Sequence, residues 1–230
     1  MNTQRQLRIY QMDVRELEKE ETFRQYYEML SDMRREKVDR KKNPEGKCQT
    51  LGAGILLDRG LQEFGLREKD VRIRQGENGK PYLADYPEIH FNLSHSGHMA
   101  LAVFAPREVG CDIEYIGKPN RKLAKRFFCP SEYEYLLNQL DEQSVQREFY
   151  RLWTLKESFL KATGLGLKLP MRSFCFSFDK ECPPETLPGV WTESVTVSQQ
   201  VDEAHYHFHE SQIQVEDAEQ YRVAVCIRDA

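Results

Sequence analysis

Apolar and polar residues alternate in LRIYQMDV (7 to 14), so the chain opens with a strand, and the acidic, aromatic stretch 15 to 30 follows as a helix. After the basic run SDMRREKVDRKKNPEGK, Asn43 and Pro44 form an N-cap and first-turn pair. They begin a helix whose buried face carries Leu51, Ile55 and Leu56 and which runs up to Gly65. DVRIRQGENGKPYL reads as strand, Gly/Asn turn and strand, and IHFNLSHSGHMALAVF as two strands joined by a tight turn at the polar SHSG. VGCDIEY (109 to 115) is another strand. Beyond the break at KPNRK, LAKRFF begins a helical stretch, residues 131 to 140 form a further helix, and 147 to 163 carry the strongest helical pattern, closed by Gly164. SFCFSF, VWTESVTV, HYHFH and YRVAVCI make the remainder strand-rich.

This order predicts an α+β fold built from two similar α/β subdomains, 1–108 and 109–230, with no linker of low complexity between them. Each half ends in an apolar strand, ALAVF and RVAVCI, which hints at an internal duplication without a sequence repeat of fixed period.

Composition narrows the function. At 40% hydrophobic and 30% charged residues, the 230-residue chain is a folded globular protein. A formal charge of −4 gives no global basic field for nucleic acid or an anionic membrane, so any anionic ligand must be bound locally. No apolar run has the length of a signal peptide core or a membrane span, and a cytoplasmic protein is expected. Cys48, Cys111, Cys129, Cys175, Cys182 and Cys226 lie far apart without a CxxC pair, so reduced, mostly buried thiols are expected.

Asp112 and Glu114 project from one face of their strand, and Glu157 and Lys161 stand at i, i+4 on a helix, with Trp153 a turn earlier on the same stripe. Each pair alone also fits a bland reading: a strand with a wet face, or a surface ion pair worth about 0.3 to 0.5 kcal/mol. Taken together, Asp112, Glu114 and Glu157 would make an all-oxygen site of the kind Mg2+ prefers.

GCDIE followed by WTLKESFLK strongly resembles the 4'-phosphopantetheinyl transferases of the surfactin-synthetase type. Their Gly-x-Asp-x-Glu strand is met by Gly110, Asp112 and Glu114, and their W-x-x-K-E-[AS]-x-x-K helix by Trp153, Lys156, Glu157, Ser158 and Lys161. A Gly-Lys-Pro turn at Gly79, Lys80 and Pro81 and an F-N-x-S-H-S segment at Phe91, Asn92, Ser94, His95 and Ser96 precede them in the family's order.

The resemblance implies a pseudo-twofold monomer that moves the phosphopantetheine arm of coenzyme A to a serine of an apo acyl, peptidyl or aryl carrier protein, in nonribosomal peptide or polyketide synthesis. It implies Mg2+ on Asp112, Glu114 and Glu157, with water rather than Ile113 filling the position between the strand carboxylates. Glu157 would be the general base, directly or through a metal-bound water, and Lys161 would stabilise or protonate the departing phosphate oxygen. For coenzyme A it implies Lys80, Ser94 and His95 on the nucleotide and its phosphates, with Lys156 able to approach a phosphate, although Lys156 fits a helix-surface lysine nearly as well. Arg34 and Lys37 fall near the 3'-phosphate positions and Thr50 at the threonine contact, while Arg35, Arg40, Lys41 and Lys42 also fit a solvated charged loop.

The basic, apolar segment 118 to 128 is a candidate carrier-docking surface, and equally an amphipathic helix burying Leu123 and Phe127. His205, His207 and His209 alternate on a strand; an exposed edge accounts for them better than zinc or nickel. Two other functions would use the same coenzyme A site: a binding module without transfer, and a Mg2+-dependent phosphodiesterase using water in place of serine.

Overall fold

The computed structural model of the chain describes residues 7–178, 195–215 and 219–229. The chain divides into two compact units, Met1–Arg107 and Glu108–Ala230. Each mixes helices and antiparallel strands around its own core, so the fold class is α+β as expected.

The first unit runs β1 (Arg8–Asp13), α1 (Glu20–Met29), α2 (Asp32–Asp39), α3 (Pro44–Gln62), β2 (Ile73–Gln75), β3 (Pro81–Leu83), β4 (His90–Ser96) and β5 (Met99–Ala105). β5 lies between β1 and β4, antiparallel to both, and α3 packs on it. Every residue of β5 is buried, which is why its sequence is an unbroken apolar run rather than an alternation. The expected cap of α3 is present: the Asn43 side chain accepts from the Gly46 N–H at 3.1 Å, and Pro44 takes the first turn. Gly60 lets the helix lie close to the sheet, because a Cβ there would overlap the Phe104 ring.

The basic run differs from a loop. Ser31 caps α2 by accepting from the Arg34 N–H at 3.2 Å, and Arg34 and Val38, a turn apart, both face inward. With a single buried aliphatic residue the segment carries no apolar stripe, yet its straight-chain charged residues are good helix formers. Arg35 pairs with Asp32 and Arg40 with Glu36 along the helix, while Lys41 and Lys42 are exposed beyond it.

The second unit runs β6 (Val109–Tyr115), α4 (Arg121–Phe127), α5 (Pro130–Leu137), α6 (Glu142–Thr163), β7 (Cys175–Phe178), β8 (Val195–Ser198), β9 (Tyr206–Gln214) and β10 (Gln220–Arg228). β10 lies between β6 and β9, antiparallel to both, and β7 pairs with β8. The connectivity repeats that of the first unit: a strand, three helices, an antiparallel pair, then two strands of which the last is central. The apolar strands ALAVF and RVAVCI are these two central strands, so the duplication is visible in topology where sequence shows no period. The first residues of VWTESVTV, and Cys182, fall outside the described residues.

α6 begins at Glu142, ahead of the expected 147, because Asp141 caps it by accepting from the Ser144 N–H at 2.7 Å. It ends as expected, at Gly164 with φ 67. The expectation of reduced thiols is corrected for one pair: Cys129 and Cys175 form a disulfide across Cα atoms 6.0 Å apart. Cys48, Cys111 and Cys226 are buried.

β6 and α6 are in intimate contact at Gly110, where a Cβ would overlap backbone atoms of Ser158, Lys161 and Ala162. A helix backbone cannot swing aside as a side chain can. Gly110→Ala is therefore expected to cost about 1 to 3 kcal/mol, read as a drop of a few degrees in Tm; an unchanged melting curve would contradict this close approach.

Candidate active site

The Gly110 approach brings the two motif elements together within the second unit. Asp112 points from β6 toward α6 and is 4% exposed. Lys161, near the end of α6, donates from Nζ to Asp112 Oδ1 at 2.7 Å and to the Cys111 carbonyl at 3.0 Å. Glu157 lies one turn earlier on the same helical stripe, half-buried. Glu114, two residues beyond Asp112 on β6, is also half-buried, while Ile113 between them is fully buried on the other face and offers no ligand.

The electrostatics follow from this crowding. Burial, and then the negative charge of Asp112, push the Glu157 carboxyl above its ordinary range, with Lys161 opposing. Burial works against the Lys161 ammonium too, but Asp112, Cys111 and Glu157 outweigh it and hold the ammonium above its usual range. The Asp112 charge thus disfavours ionisation of Glu157, which is the environment that a hard divalent cation relieves. Asp112, Glu114 and Glu157 offer only oxygen donors, and that set fits Mg2+ better than a soft metal.

Lys156 departs from expectation. Its side chain is fully buried, with Nζ 2.9 Å from Glu132 Oε2 and donating to the carbonyls of Met171 at 2.8 Å and Phe174 at 2.9 Å. The Phe174 ring lies 4.4 Å from Nζ. Burial pulls this ammonium below its usual range, opposed by Glu132. Its three donors are committed to the interior, so the expected approach of Lys156 to a coenzyme A phosphate is corrected: it is a core cation.

In the first unit, Gly79 at φ 87 turns the chain into Lys80, which is half-buried. Ser94 and His95 lie within β4 rather than in its turn, paired across to Leu101 and Ala100. As neighbours on a strand they project to opposite faces of the sheet. The turn itself is Gly97, at φ 50, and His98. Arg34 is 6% exposed and lies 3.6 Å from Glu68. Burial, then the charge of Arg34, lower the half-buried Lys37. The Thr50 hydroxyl donates to the Gly46 carbonyl at 2.7 Å within its own helix, so it would have to give up that bond to donate to a phosphate.

In the second unit, α4 buries part of segment 118 to 128 and exposes its cations. Leu123 and Phe127 pack against the core and Phe128 is buried, whereas Lys122, Lys125 and Arg126 are exposed. On β9, His207 Nε2 lies 2.7 Å from Asp229, with buried Tyr206 and Phe208 on either side. Sequence reasoning missed two buried polar clusters: Glu132 with Lys156, and Arg151, whose Nε donates to Glu210 Oε2 at 2.7 Å beside Glu148. A usable signal existed, since Lys156 falls on the stripe of Leu152, Leu155 and Phe159, all buried.

No helix among the described residues is long and apolar enough to cross a membrane. The family model for the 4'-phosphopantetheinyl transferase superfamily matches residues 108–226. Among curated relatives, the 4'-phosphopantetheinyl transferase ffp of Bacillus subtilis is 40% identical over 162 residues, covering 70% of this chain and 71% of that protein. The 4'-phosphopantetheinyl transferase Sfp of Bacillus subtilis strain 168 is 38% identical over 161 residues, with 70% and 71% covered. The mouse L-aminoadipate-semialdehyde dehydrogenase-phosphopantetheinyl transferase is 32% identical over 191 residues, with 76% and 60% covered. With a matched family region that contains the whole β6 and α6 constellation, this chain belongs to the 4'-phosphopantetheinyl transferase superfamily.

Proposed function

We propose that the protein transfers the phosphopantetheine arm of coenzyme A to a serine hydroxyl of an apo carrier protein, releasing adenosine 3',5'-bisphosphate, with Glu157 taking the serine proton. The observation that supports this most is the Glu157 carboxyl itself: half-buried, pushed up in pKa, and one turn from a lysine locked onto Asp112. A carboxylate with a raised pKa is a stronger base, and a hydroxyl needs one near neutral pH. As the serine oxygen bonds to phosphorus, the bond to the bisphosphate breaks, and Lys161, held charged, stabilises the departing oxygen. Mg2+, when bound by Asp112, Glu114 and Glu157, supplies charge neutralisation and Lewis acidity toward the pyrophosphate.

Lys80, Ser94 and His95 would bind the nucleotide and its phosphates. Arg34 and Lys37 stand one turn apart on α2 and repel one another, so a 3'-phosphate beside them would relieve that repulsion, with Thr50 as a further contact. A pure binding module would have no use for a base of this kind.

Asp112→Ala tests the metal reading. It removes a ligand and frees Lys161, so the Mg2+ concentration needed for carrier modification is expected to rise at least the 10 to 100-fold typical of weakened metal sites, with partial rescue by excess Mg2+ or Mn2+. Near-normal turnover at low Mg2+ would contradict the assignment.

Carrier docking draws on the exposed cations of α4, because the helix around a carrier's serine is usually acidic. Lys122→Glu with Lys125→Glu is expected to raise the carrier KM about tenfold at low salt and to flatten its dependence on ionic strength, leaving coenzyme A affinity unchanged. An unaltered carrier KM at two ionic strengths would place docking elsewhere, with the loop 164 to 169 and its exposed Leu167 next in line.

A further inference from the structure

Within the second unit, the start of α5, the end of β7 nearest it and the middle of α6 are fastened at one buried point. The Glu132 carboxylate accepts from the Cys129 N–H at 2.9 Å and the Phe176 N–H at 2.8 Å, and pairs with Lys156 Nζ at 2.9 Å. Lys156 carries the connection on to the Met171 and Phe174 carbonyls. The Cys129–Cys175 bridge crosses the same gap, from the N-cap of α5 to the first residue of β7. The two fastenings differ in chemistry. The ionic hub is sealed, whereas Cys175 is only half-buried on a two-stranded sheet while Cys129 is 1% exposed. Cys175 is therefore the more accessible residue of the bridge and Cys129 the less accessible.

We propose that Cys129 and Cys175 are a thiol–disulfide exchange site, a redox modification site that takes a low-molecular-weight disulfide as oxidant and a small thiol as reductant. In oxidation the Cys175 thiolate attacks one sulfur of the small disulfide RSSR, forming a mixed disulfide and releasing one thiolate RS−. The Cys129 thiolate then attacks the Cys175 sulfur, closing the bridge and releasing the second RS−. The two protons lost by the protein thiols end on the two RS− groups, and two electrons pass to RSSR. Reduction reverses each step: the small thiolate attacks the Cys175 sulfur and releases the Cys129 thiolate, and a second small thiolate then frees Cys175.

The bridge closes a loop spanning 46 positions in sequence. That loop contains α5 and all of α6, including Glu157 and Lys161. Closing it removes freedom from the unfolded chain and so stabilises the unit. Because Glu132 and Lys156 hold the same elements without the bridge, reduction loosens the unit and does not dismantle it. The ligand atoms of Cys129, Glu132 and Cys175 lie within 4.8 Å of one another, a spacing that would also suit a thiophilic metal. The carboxylate, however, is already taken by an ammonium and two N–H groups, which favours sulfur exchange over a metal. The inference stands independently of the transfer reaction.

The test uses the full chain equilibrated with glutathione disulfide, denatured in an alkylating reagent, digested and mapped by mass spectrometry. Cys129 and Cys175 should escape alkylation until a reductant is added, and should be recovered as one cross-linked peptide pair. Adding reductant to the folded oxidised protein should lower Tm by roughly 5 to 10 °C. The double variant Cys129→Ser with Cys175→Ser should melt where the reduced protein does, with no response to reductant. Both cysteines alkylated before reduction would overturn the proposal, and so would an equal fall in Tm in the double variant. Stoichiometric Zn2+ protecting both thiols without a cross-link would replace exchange with metal binding. The alkylation map uses the unaltered chain, so it decides the matter even if the double variant does not fold.

Discussion

Glu157→Gln is expected to slow carrier modification by on the order of 100 to 10,000-fold, the usual size of a lost general base, while coenzyme A binding stays within a few-fold. The amide keeps the size of the side chain and its place one turn from Lys161, so packing against β6 survives. What disappears is a group able to accept the serine proton, together with one carboxylate donor proposed for Mg2+, so both measurements are made at saturating Mg2+. Burial and the Asp112 charge raise the Glu157 carboxyl, which strengthens it as a base and means that the surroundings electrostatically favour a neutral replacement. Single-turnover rates together with calorimetric coenzyme A affinity separate the two roles. A collapse of affinity with the rate per bound complex preserved would make Glu157 a binding residue only.

The second large effect is on stability. Lys156→Met leaves the Glu132 carboxylate, 2% exposed as a residue, without its cation. Breaking a buried pair from one side costs about 3 to 5 kcal/mol, measurable by denaturant unfolding. Adding Glu132→Gln should recover much of that loss, because an uncharged amide can still accept an N–H from Cys129 or Phe176 while needing no counter-charge. A single variant of unchanged stability would contradict the buried pair. Weakened coenzyme A binding in the folded protein would reinstate Lys156 as a phosphate ligand.

These two residues are adjacent in sequence and show what the chain discloses by itself. Asp112 and Glu114 on a strand, and Glu157 and Lys161 on a helix, are legible because their spacing matches the two backbone periods. The contact between Lys161 and Asp112 then follows from one glycine, Gly110, which lets helix and strand backbones touch. Lys156 was misread because charge was taken as a sign of exposure, although its position on the Leu152, Leu155 and Phe159 stripe argued otherwise. Arg34, one turn from Val38, is buried as well. Their partners, Glu132 and Glu68, come from other elements, and no local pattern reports such a meeting. The Cys129–Cys175 pairing is likewise a property of tertiary structure. Ser94 and His95 were assigned to a turn because SHSG is small and polar, yet the ladder to β5 continues through Ser96 and leaves only Gly97 and His98 to turn. Helix α2 escaped notice for the converse reason, a helix stabilised by its cap and charged neighbours with almost no apolar stripe to announce it.

The transfer reaction is tested most directly by incubating the protein with coenzyme A, Mg2+ and an apo carrier protein, and measuring the intact mass of the carrier and the fate of coenzyme A together. The expected product is a carrier heavier by one phosphopantetheine on its serine, with adenosine 3',5'-bisphosphate formed in equal amount. Coenzyme A recovered intact with an unmodified carrier, or cleaved while the carrier stays unmodified, would contradict it.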